Sequence, residues 1–155
     1  MILEPLAIAA NVAQASGTRL DHVLLMLGNL VRIFSLEECN FDEDLKAGII
    51  SSLEKRWKKA DQDVFITAVM LNPFIRASLF KRTVLPDVEL FNTVKRVYER
   101  VMRRKADLDF MAAFEDYRLQ YAEFSDGRMC LEAMKCMFAQ EVWPTVQAIL
   151  CFSDS

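Results

Sequence analysis

Apolar positions recur along most of this chain at steps of three and four, the period of a helix with one face on a core. Strict alternation never persists long enough to make a strand. A first helix is predicted from about Glu4 to Ala15, ending at Ser16-Gly17. Leu20, Val23, Leu24, Leu27, Leu30, Val31 and Phe34 then form one stripe, preceded by Thr18 with Asp21 three residues on, a variant of the capping box. Val31, Ile33 and Phe34 widen that stripe, so this helix is predicted to be the most buried. Asp42-Glu43-Asp44 places acids at the positive end of a third helix, whose stripe runs Leu45, Ile49, Ile50, Leu53 and Trp57. Asp61 can cap a short helix carrying Val64, Phe65, Ala68, Val69 and Leu71, interrupted at Asn72-Pro73 because residues before proline avoid the α region. A turn through Phe74 to Phe80 follows. Pro86-Asp87 begins a long helix with Leu90, Phe91, Val94, Val97, Tyr98, Val101 and Met102 inside. Asp107 opens the next, with Leu108, Met111, Ala112, Phe114, Tyr117 and Tyr121 apolar; Ser125-Asp126 opens a further one. Pro144 starts a last apolar piece, Val146 to Phe152. The pattern predicts an all-α, single-domain helical bundle of about eight helices joined by short loops. No segment aligns with another at a period of roughly 30 to 45 residues, which disfavours a solenoid.

Composition narrows the class further. The chain has 155 residues, 53% of them hydrophobic, with four glycines and four prolines. That length suits one domain with a real core. So few Gly and Pro exclude collagenous and linker-rich chains, and an all-β domain that turns every dozen residues. No apolar run is long enough to span a membrane, and Met1-Ile2-Leu3-Glu4-Pro5 lacks the basic region of a secretory signal. Cys39, Cys130, Cys136 and Cys151 are irregularly spaced and His22 is the single histidine, so buried free thiols in an intracellular compartment are expected rather than zinc.

Charge changes the picture more. The formal total of −3 hides an asymmetry. Residues 1–45 hold 2 basic and 7 acidic side chains, net −5, and residues 106–155 hold 3 and 9, net −6. Residues 46–105 hold 14 basic and 6 acidic, net +8. Two clusters dominate this middle: Lys55, Arg56, Lys58 and Lys59 around Trp57, and Lys95, Arg96, Arg100, Arg103, Arg104 and Lys105. Arg96, Arg100, Arg103 and Arg104 fall at helical steps opposite Val94, Val97 and Val101, a stripe suited to successive phosphates of a nucleic-acid backbone. The competing reading is a solvated face, with cations at helix C-termini and the acidic flanks pairing with the basic middle. Trp57 continues the Leu53/Ile49 stripe, which favours packing over base stacking.

No catalytic constellation emerges. Asp21, Asp61, Asp63, Asp107 and Asp109 supply enough carboxylates for a metal, but each sits at an expected helix start, where capping explains it. His22 has no evident partner, and Cys130 has Asp126 and Glu132 nearby, the wrong setting for a thiolate. There is no phosphate-binding glycine loop and no nucleophile elbow. A non-enzyme without cofactor or metal is expected.

Two stretches are more specific. Ser52-Leu53-Glu54-Lys55-Arg56-Trp57-Lys58-Lys59-Ala60-Asp61-Gln62-Asp63-Val64-Phe65 is followed by Ala68-Val69-Met70-Leu71-Asn72-Pro73-Phe74-Ile75-Arg76. This resembles the hAT-family transposase-like proteins of mushroom-forming fungi, where a helix ending in a basic-Trp segment precedes a similar Leu-(Asp/Asn)-Pro signature. Thr18-Arg19-Leu20-Asp21, Leu27-Gly28-Asn29-Leu30, Arg32-Ile33-Phe34, Val97-Tyr98-Glu99-Arg100 and Glu123-Phe124-Ser125-Asp126 look like further pieces of the same proteins. The resemblance implies residues 3–140 to be the all-helical insertion of such a transposase. The RNase H-like strands and the D-D-E triad are missing, so no catalytic residue carries over. The insertion's role in binding transposon ends agrees with the basic middle. Residues 141–155 lose the resemblance and form a divergent apolar tail, expected to pack on the same domain or at a dimer contact.

The expected function is therefore a stand-alone, non-catalytic helical domain that binds DNA backbone through Lys55, Arg56, Lys58, Lys59, Lys95, Arg96, Arg100, Arg103 and Arg104. The alternative is a protein-interaction or homodimerisation module. No membrane or small-molecule partner is expected, and the location is intracellular, nuclear if the target is DNA and otherwise cytoplasmic.

Overall fold

A computed structural model describes residues 3–35, 42–132 and 134. Among them the chain is all-helical: α1 (Leu3–Gln14), α2 (Leu20–Ser35), α3 (Glu43–Lys59), α4 (Gln62–Met70), α5 (Asp87–Met102) and α6 (Leu108–Leu119). A 3-10 turn at Ala122–Phe124 follows α6. These six helices answer to the first six expected from periodicity. The helix expected from Ser125 is a turn as far as Cys130, with helical residues only from Leu131, and the piece from Val146 to Phe152 lies outside the described residues. So do the tail 141–155 and Cys39, Cys136 and Cys151. No described helix is long and apolar enough to cross a membrane.

Helix starts follow local chemistry in some places and distant chemistry in others. Asp61 and Asp107 act as side-chain caps, accepting the amide N–H groups of Val64 (3.4 Å) and Phe110 (2.9 Å). The reciprocal cap expected at α2 is replaced by other bonds. The Thr18 hydroxyl donates back to the Val12 carbonyl, and Asp21 turns inward. Asp21 is 2% exposed, gripped by Arg19 at 3.0 and 2.8 Å and by the Asn72 side-chain amide at 2.7 Å. Asn72 in turn accepts the Phe74 N–H at 3.0 Å, so one residue closes the turn after α4 and ties it to the start of α2.

The core forms three linked groups. Ala9, Leu30 and Phe34 join α1 and α2 and meet Ile49, Ile50 and Leu53 of α3. Leu25, Val69 and Ile75 join α2, α4 and the turn behind it. Met70, Leu90, Val94, Phe114 and Tyr117 join α4, α5 and α6. Neighbouring Val69 and Met70 face different groups, so the short α4 packs between α2 and α5 and joins their cores. α2 packs on α1, α3 and α4, as its wide stripe predicts, although its rim residues Leu20 and Val31 stay exposed.

Candidate nucleic-acid interface

The stretch where α3 ends and α4 begins turns onto the arginine edge of α5. α3 stops at Lys59 because Ala60 leaves the helix for extended backbone, and Asp61 restarts the chain as the cap of α4. Trp57, half-buried, packs edge-on against Phe65 of α4 with ring centroids 6.1 Å apart, fixing the angle between the helices. Asp61 and Asp63 are thereby turned toward α5. Asp61 forms an ion pair with Arg100, Oδ2 lying 2.9 Å from Nη1, and Asp63 takes Arg96 in a two-pronged grip, Nε at 2.7 Å and Nη2 at 3.0 Å.

The nine candidate cations fall into different states. Lys55, Arg56, Lys58 and Lys59 are exposed on the last turns of α3, with no carboxylate in ion-pair range among the described residues, where their charge also complements the helix dipole. Arg103 is exposed and has no ion-pair partner among the described residues, ending α5 in the left-handed region at φ 52°. Lys95 is half-buried along α5. Arg96 is the most engaged. Besides Asp63, it reaches Glu89 at 3.3 Å through Nη1 and the Thr93 hydroxyl at 3.1 Å through Nη2. Arg104 donates to the Tyr98 hydroxyl at 2.8 Å, lies over that ring, and approaches Asp107 at 3.8 Å. The partners of Arg96 and Arg100 thus come from the same middle stretch, not from the acidic flanks.

Electrostatics follow these contacts. The hydrogen bond from Arg96 holds the Asp63 carboxyl below its usual range, against the opposing effect of burial. The same bond raises the guanidinium of Arg96 further above its already high range. Glu99 is likewise lowered, first by the backbone N–H of Ala106 and, against an opposing desolvation, by Lys105.

The other candidates are dispersed. Asp109 is exposed on α6, His22 half-buried on α2, and Asp21 belongs to the buried network with Asn72. Among the described residues no three of His, Cys, Asp and Glu gather in a metal-holding arrangement. Cys130 corrects the expectation of buried thiols: it is exposed, its Sγ 3.8 Å from the carbonyls of Gly127 and Arg128.

Periodicity also missed Arg76. Its backbone adopts φ 53°, and its side chain is buried against the segment after α6, donating from Nη2 to the Phe124 carbonyl at 3.2 Å. Asp126 lies at 3.5 Å and the Tyr117 ring at 5.3 Å, while Nε and Nη1 have no hydrogen-bond partner. An arginine in an irregular turn gives no periodic signal of burial. No family model, curated protein or solved structure matches this chain.

Proposed function

We propose that this chain is a non-catalytic helical domain, derived from the insertion of a hAT-family transposase, that binds nucleic-acid backbone through the corner where α3, α4 and α5 meet. The observation that carries this reading is the set of four cations closing α3, exposed and without an ion-pair partner among the described residues, with the arginine edge of α5 tied to the same junction through Asp61 and Arg100. Long, solvated side chains of this kind reach phosphate oxygens without selecting a base, so the expected binding is weakly sequence-dependent. A nuclear location goes with DNA as the target.

The test is binding to short duplex and single-stranded DNA at about 50 and 200 mM salt. If Lys55, Arg56, Lys58 and Lys59 each neutralise one phosphate of a duplex, log affinity falls with log salt at a slope of about −3.6, roughly 150-fold over that range. Replacing all four by alanine abolishes binding and leaves the thermal melt unchanged. No measurable binding at the lower salt, or full binding by the alanine variant, overturns the reading.

A second reading, a protein-interaction or homodimer surface, is favoured by one feature of α6. Phe114 and Tyr117 are buried, yet Leu108, Met111, Ala112 and Leu119 make a stripe on the opposite side that no described element covers.

A further inference from the structure

Two of the arginines that a phosphate backbone would want are already held by carboxylates in the way a phosphate would hold them. The two parallel contacts between Arg96 and Asp63 form the same fork that an arginine makes with two phosphate oxygens. Arg100 has a single such contact, with Asp61 at 2.9 Å. Both arginines remain about half exposed, at 50% and 52%, so the guanidinium edges are within reach of a ligand. At that exposure a carboxylate–guanidinium pair contributes little net stability, and one anion can replace another with little change in the fold. The cations of the two clusters differ in engagement: Arg96 is held by Asp63 and Glu89, Arg100 by Asp61 and Arg104 by Asp107, while Arg103 and the four α3 cations meet no carboxylate among the described residues.

We propose that Asp61 and Asp63 are resident phosphate surrogates, occupying Arg100 and Arg96 and withholding them from the nucleic-acid backbone until a phosphate displaces them. This rests on the backbone-binding reading above and adds its regulation. The pairs keep both side chains extended toward the corner and lower its effective positive charge. Binding then begins at the uncompensated α3 cations and recruits the α5 arginines only where a phosphate outcompetes the carboxylate.

The experiment is fluorescence anisotropy of the full chain with a labelled random-sequence duplex over a series from about 50 to 200 mM salt. Asp63→Asn combined with Glu89→Gln releases Arg96 from both of its carboxylates and steepens the log–log slope by about 0.9, the increment for one further neutralised phosphate. Adding Arg96→Ala to that variant returns the slope to the wild-type value. Asp61→Asn keeps a side-chain oxygen for the α4 cap, so the fold is retained while Arg100 is freed, and it steepens the slope by a similar amount. Glu54→Gln removes the same unit of charge from exposed α3 without freeing an arginine, and leaves the slope as it was. Equal steepening by Glu54→Gln, or an unchanged slope in both aspartate variants of a binding wild type, overturns the exchange and leaves backbone binding standing. Absence of binding by the wild type and by every variant overturns both.

Discussion

Asn72 shows how much of this fold hangs on single side chains. Its amide donates to the buried Asp21 at 2.7 Å, and its oxygen accepts the Phe74 N–H. Asn72→Ala removes a charge-assisted bond and leaves the Phe74 amide without its partner. The expected cost is about 2–3 kcal/mol, read as a lower urea midpoint with an unchanged slope. A loss under about 0.5 kcal/mol would mean that the Arg19 fork alone satisfies Asp21. Legibility divides along the same line. Asp61 and Asp107 were readable as caps because cap and recipient are three residues apart. Asp21 was not, because its partner is 51 residues away and no local period links them. Among the candidate cations, position and helical register were legible, but pairing was not, since Asp63 and Arg96 lie 33 residues apart.

At the scale of elements, α5 and α6 depart most from their patterns. Val94 is buried, Val97 half-buried and Val101 exposed, because α5 runs on past the core it packs against. α6 spreads Asp109, Glu115, Asp116 and Arg118 among its apolar residues with no single polar face, so its sequence did not announce which side would be inside. The choice is made by rings. Phe91 meets Phe114 at 5.4 Å, Tyr98 meets Phe110 at 4.2 Å, and the Tyr117 hydroxyl donates to the Met70 carbonyl at 3.0 Å. Burial pushes the Tyr117 phenol above its ordinary range, partly offset by the nearby Arg76. The unfolded chain therefore gives up this proton first, so as pH climbs above about 10 the native state holds the extra proton and stability falls. That contribution is complete below pH about 10 and is lost as pH rises through the folded value. Tyr117→Phe should cost about 1 kcal/mol at neutral pH, by orphaning the Met70 carbonyl, and should flatten the alkaline limb of the stability profile. An alkaline limb as steep as in the wild type would locate the titration elsewhere.

For the whole molecule, the net charge of −3 says little about the surface, because charge is distributed by segment and then redistributed by folding. Folding sets the junction of α3 and α4 against α5 through the Asp61–Arg100 and Asp63–Arg96 pairs, so carboxylates from within positions 46–105 hold part of the α5 edge. The result is a positive corner at the α3–α4 junction and, on α6, an apolar stripe in which Leu108 is 81% exposed and Leu119 60%. These features make separable demands on substitutions. Lysine at both Leu108 and Leu119 places charge where the structure has solvent, so stability should shift by less than about 0.5 kcal/mol. Were either leucine part of the core, burying an unpaired charge there would unfold the chain. If the stripe serves as a contact between copies, light scattering of the wild type rises above the monomer mass with concentration, and the double variant returns it to monomer. If the α3 corner binds DNA as proposed, that binding should persist in the variant, since Lys55, Arg56, Lys58 and Lys59 lie on α3 and both leucines on α6. Loss of association and of DNA binding together would instead tie the apolar stripe and the basic corner into one dimeric binding surface.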